Sequence, residues 1–129
     1  MMTKVDNKLS QFHHENNTWE RMLAFFKQEN SFLKNRLAEV LDQKTGTDFL
    51  ALAEHFQNQF IIKDEFIDEL SHDIQQQEDE LKQTYMNDEI ILGKRLIKKQ
   101  EKLRNEMEYL EKEFASLKNT FNKYLVTII

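Results

Sequence analysis

The chain has 129 residues, with 18 Lys+Arg against 23 Asp+Glu, ten Phe, two Gly, and neither Pro nor Cys. That length suits a single domain, 1–129, and the dearth of turn residues argues against a sandwich, a barrel or an alternating α/β fold. Without Cys there is no disulfide framework, thiolate metal site or cysteine nucleophile.

The first segment repeats apolar residues at alternating steps of four and three: Val5, Leu9, Phe12, Asn16, Trp19, Leu23, Phe26, Asn30, Leu33, Leu37 and Val40. Nine of these eleven positions are apolar, which is the pattern of a long amphipathic helix. With Val5 as heptad position d, Asn16 and Asn30 fall at a. The second segment runs Phe49, Ala53, Phe56, Phe60, Lys63, Ile67, Leu70, Ile74, Gln77, Leu81 and Thr84. The third runs Gly93, Leu96, Gln100, Leu103, Met107, Leu110, Phe114, Leu117, Phe121, Tyr124 and Ile128.

Between the first two segments, Gly46 offers a left-handed helix stop, Thr47 the next N-cap and Asp48 a charge near the new helix dipole. Between the second and third, the heptad phase jumps by an amount that neither a stutter nor a stammer absorbs. Asn87 then serves as N-cap, with Asp88 and Glu89 in the first turn. The prediction is three helices near 3–43, 48–85 and 88–126, each about 57 Å long at the standard rise. Short connections make sequential neighbours antiparallel. The expected fold class is therefore all-α, an up-down-up bundle of three long helices with coiled-coil-like packing.

Folding about the two turns sets residue i of the first helix opposite about 91−i of the second, and residue j of the second opposite about 174−j of the third. Asn16, Gln77 and Gln100, three polar residues at seam positions, then fall close to one level. They are expected to form a buried, mutually hydrogen-bonded layer that fixes register at some cost in stability. Asn30 lands near Lys63, Glu111 and Glu113, which suggests a second layer. The competing reading makes these layers a ligand or ion site, although amides are poor metal ligands.

Charge is uneven along the chain. The first helix balances 6 basic against 6 acidic residues, the second has 2 against 10, and the third has 9 against 7. Lys94, Arg95, Lys98, Lys99, Lys102 and Arg104 crowd one stretch that the pairing rule sets against Asp73, Glu78, Asp79 and Glu80. An ion-pair seam explains that stripe better than nucleic-acid binding, which the net charge of −5 also disfavours.

Candidate chemistry is sparse. Glu69 and His72 have the Glu-x-x-His spacing of carboxylate-bridged metal sites in bundles, but no second copy exists and both sit off the seam. His13 and His14 are adjacent and so point in different directions, with His14 opposite position 77 and within reach of the first polar layer. The chain has neither a Gly-rich phosphate loop nor a nucleophile elbow. An enzyme is not expected.

The aromatic surplus is the more informative feature. Phe25 and Phe32 occupy c positions and Met22 a g position; on the second helix Phe66 is at g and Ile62 at c. If g flanks face each other across the first antiparallel pair, these five residues form one apolar strip along the groove between helices 1 and 2. That strip is either a widened core under helix 3 or an exposed surface for a partner. The apolar Tyr124–Ile129 end is expected to cap the bundle or to add to a dimer contact.

The functional expectation is a non-enzymatic interaction or scaffold protein acting by protein–protein contact, most simply as a homodimer, with no cofactor, nucleic acid or membrane among its partners. MMTKVDNKLS lacks the apolar stretch of a signal peptide and the longest apolar runs are five residues, so a cytoplasmic protein is expected. The alternative is a bundle holding a metal or small ligand through Glu69 and His72 or at the polar layers.

Overall fold

The computed structural model describes residues 4–43, 46–86 and 93–128. They form α1 (Lys4–Leu41), α2 (Thr47–Met86) and α3 (Lys94–Ile128). Cross-helix contacts set the topology. Asn16 bonds Glu78 while Asn30 bonds Asp64, so α2 runs against α1. Gln77 meets Gln100 and Glu80 meets Arg95, so α3 runs against α2. Glu15 with Arg104 and Glu29 with Lys118 then show α3 parallel to α1.

Both breaks are built differently from the expectation. Gly46 is not a left-handed stop: its φ lies outside the left-handed region, and its carbonyl accepts the Leu50 N–H at 2.9 Å. It is therefore the residue before the first turn of α2, and Thr47, expected as N-cap, is already helical. Gly93 plays the same part for α3, accepting from Leu96 and Ile97 at 3.1 and 3.3 Å. Glycine is costly inside a helix and tolerated at the N-cap, so α3 starts at Lys94, not near 88. Asn87, Asp88 and Glu89 lie outside the described residues.

The heptad seam packs as read. From Leu9 onward every seam residue of α1 and α2, and every one of α3 from Leu96, is buried or half-buried. The core divides into three apolar clusters. At one end Leu9, Phe12, Leu81 and Leu96 pack together. The middle joins Trp19 and Leu23 to Ile67, Leu70, Ile74, Leu103, Met107 and Leu110. The far end is aromatic, with Phe56, Phe60, Phe121 and Tyr124 in ring contact at centroid separations of 5.0 to 6.5 Å. Tyr124 closes that end by donating its hydroxyl to the Phe49 carbonyl at 3.2 Å, and burial pushes its phenol up. Leu125 is buried too and Ile128 packs against the same cluster, so these residues of the C-terminal stretch cap the bundle, while Val126 is exposed.

Candidate functional site: the amide layer and the flanks of the bundle

Polar layers separate the clusters. In the first, Gln77 Nε2 donates to the Leu96 carbonyl at 2.8 Å and to Gln100 Oε1 at 3.1 Å. Gln100 Nε2 donates in turn to Asn16 Oδ1 at 2.8 Å and to Glu15 at 2.9 Å. Asn16 Nδ2 reaches Glu78 at 2.8 Å. The expected triad is thus present and joins all three helices. Its register sits two to three residues beyond the 91−i and 174−j rules, which brings the amides onto the same level rather than neighbouring ones. Buried amides need partners, and this register supplies them to every amide group of the triad but Gln77 Oε1.

The network extends past the triad to residues that the seam pattern does not mark. Glu15 holds Arg104 with two hydrogen bonds of 2.7 and 2.8 Å, and that bond raises the guanidinium pKa above its ordinary value. His13, rather than His14, contacts Glu78, and His14 is exposed. Gln77 Oε1 is buried with no hydrogen-bond partner.

Asn30 forms a second, different layer. Its Nδ2 donates to the Phe60 carbonyl at 2.8 Å and to Asp64 at 2.9 Å. Lys63 is buried at this seam as expected, but Asp64 is the ionic member that bonds Asn30, not Lys63, Glu111 or Glu113. Lys34 also binds Asp64, and Lys27 reaches Asp68 at 2.9 Å, which raises the Lys27 pKa. Burial alone would raise the Asp64 carboxyl; bonds from Lys34 and Asn30 outweigh it and hold the group below the ordinary carboxylate value.

These ion pairs explain where the apolar candidates go. The α1–α2 contact uses the e flanks of both helices: Lys27 and Lys34 with Asp64, His13 with Glu78. Helix α3 lies on the g side, against Glu15 and Glu29 of α1 and against Asp73 of α2 through Lys99. The expected single strip between α1 and α2 is therefore not formed. Met22 and Phe25 line a groove toward α3 with Phe26 and Glu111. Phe66 lies on the other side of α3, edge-on to Tyr109 at 6.1 Å. Phe32 and Ile62 are exposed, each on the same helix as one of those residues. Charge could have settled this from sequence, since the opposite hand would put Glu15 beside Glu80, acid on acid.

Of the widened-core and exposed-surface readings, exposure applies to α1: Phe25 and Phe32 are 58% and 66% accessible. Met22 and Phe66 are half-buried. Of the basic stretch, Arg95 pairs with Glu80, Lys99 with Asp73 and Lys102 with Glu106 of its own helix, while Arg104 crosses to α1. Glu69 and His72 are exposed, and among the described residues no group of three His, Asp or Glu is placed to hold a metal ion. No described helix is long and apolar enough to cross a membrane. Comparison with protein-family models, with curated proteins and with solved structures finds no match to this chain.

Proposed function

We propose that the protein is a non-enzymatic, self-associating scaffold that acts in the cytoplasm through protein–protein contact along a coiled-coil-like bundle. The observation that carries this reading is the exposure of Phe25 and Phe32 on one face of α1, two large aromatic rings seven residues apart with most of their surface in water. Rings at that spacing lie on one helix face, the arrangement by which a helix presents anchors to another helix. The polar layers support the same reading, because their amide N–H groups are engaged with one another, with backbone carbonyls and with neighbouring carboxylates. Sedimentation equilibrium of the unmodified chain and of Phe25→Glu/Phe32→Glu tests it. The unmodified chain is expected to give a dimer mass and the variant a monomer with the same helical circular dichroism. A monomer for both, or a dimer for both, would sink the reading.

A further inference from the structure

The face of α1 that carries Phe25 and Phe32 is unusual for another reason. The whole chain is 32% charged, yet the outward b, c and f positions of α1 from Asn17 to Ala38 hold one charged side chain, Arg21. The others are Asn17, Thr18, Ala24, Phe25, Gln28, Ser31, Phe32, Asn35 and Ala38. All but Thr18 are exposed. A helix face that meets only water in a chain this polar would be expected to carry charge, as the outer face of α2 does with Glu54, Glu65, Asp68 and Glu69 around its exposed Ile61 and Ile62. Small residues recur at Ala24, Ser31 and Ala38, one heptad apart, beside the two rings.

We propose that this face pairs with the same face of a second copy, α1 against α1 in antiparallel order about a two-fold axis at Gln28. This rests on the self-association proposed above and specifies its geometry. In an antiparallel pair, like flanks face each other, as the e flanks of α1 and α2 do within the bundle. Pairing about Gln28 sets Phe25 beside Phe32 of the second copy on one flank and Ala24 beside Ser31 of the second copy on the other. Along the centre, Gln28 meets itself, Arg21 meets Asn35, and at each end His14 meets Asp42. The small flank lets the backbones approach while the rings interlock.

Arg21, Ala24, Phe25, Lys27, Gln28 and Ser31 border one shallow, open stretch of this face. In the proposed register it is the place taken by Phe32 of the second copy. Charge agrees with the pairing: no like-charged residues meet among the b, c and f positions between His14 and Asp42. Lys27 and Glu29, on the outer flanks near the axis, are each held in an ion pair inside their own bundle, with Asp68 and Lys118. The contact would run about 42 Å along the helix, with identical halves, so it closes at two copies and leaves no open end.

The absence of native Cys makes the test clean. Full-length chains carrying single substitutions Gln28→Cys, Arg21→Cys, Asn35→Cys and, at an exposed position of α2, Asn58→Cys are oxidised under mild conditions at low micromolar concentration. Gln28→Cys is expected to form a covalent dimer about tenfold or more faster than Asn58→Cys, because association raises the local thiol concentration. An equal mixture of Arg21→Cys and Asn35→Cys is expected to give mainly the mixed dimer, resolved by intact mass. Homodimers of Arg21→Cys in excess would overturn the antiparallel order. A chain that is a dimer by mass while Gln28→Cys is no faster than Asn58→Cys would overturn this face but leave self-association standing. A monomeric mass for the unmodified chain would overturn both.

Discussion

The two ends of this bundle are held by different physics. At the end where α1 and α3 finish, Phe56, Phe60, Phe121 and Tyr124 pack ring against ring, with Phe121 edge-on to Phe56 and Phe60, and with Phe60 and Phe121 at 0% exposure. Toward the other end, the core is interrupted by Asn16, Gln77 and Gln100 and rimmed by Glu15–Arg104 and His13–Glu78. Apolar contact is strong but tolerant of sliding, since one heptad of Leu and Phe packs much like the next. An amide layer is weak in net energy and intolerant of sliding, since a shift of one heptad leaves every donor without its acceptor. The aromatic end supplies stability and the amide end supplies register.

That contrast can be broken most forcefully at the aromatic end. Phe60→Ala should cost about 3–5 kcal/mol, read as a lower denaturant midpoint with the bundle topology retained. A loss below about 1 kcal/mol would deny this end its role. Next in size is Gln100→Ala, which strips Asn16 and Gln77 of their shared partner and should cost about 1–3 kcal/mol per buried group left unpaired. The sharper form replaces Asn16, Gln77 and Gln100 together by Leu. The triple variant should melt higher than the unmodified chain yet show several helix registers by cross-linking, whereas one preserved register would remove the layer's claimed function.

Acid probes the second layer. Asp64 has its pKa held below the ordinary 3.8 in the folded state. Its contribution is therefore full above that ordinary value and is lost as pH falls through the folded one. Asp64→Asn should melt lower than the unmodified chain at neutral pH, and the gap should shrink as pH falls below the ordinary carboxylate value of 3.8. A gap independent of pH would contradict the ionic account. The smallest effect belongs to Tyr124→Phe, which removes one hydroxyl bond to the Phe49 carbonyl and should cost about 0.5–1.5 kcal/mol in a thermal melt.

The heptad spacing made the core legible residue by residue, because period alone decides which positions face inward. The amide triad was legible for the same reason: three polar exceptions at one level need each other. Gly46 and Gly93 were not, since a glycine can stop one helix or precede the next and the local letters read alike. The side on which α3 lies was also missed. Seam positions are silent on that choice, and only the flanking charges, Glu15 and Glu29 against Arg104 and Lys118, carry it. Glu78, expected opposite the basic stretch of α3, instead joins His13 and Asn16, because the partner of a flank residue is set only once the hand is known. The outer face of α1 went unread for a simpler reason. Its signal is that Arg21 alone is charged among the outward b, c and f positions from Asn17 to Ala38, rather than a surplus of apolar residues, and Phe25 and Phe32 were counted with Phe66 on a helix that does not share their groove.

The most direct test of the account is native mass spectrometry of the unmodified chain at low micromolar concentration, which reads copy number and bound mass together. Two copies with no added mass are predicted, from a core closed on itself and an α1 face open to its twin. A bare monomer, or a retained metal or small molecule, would contradict it.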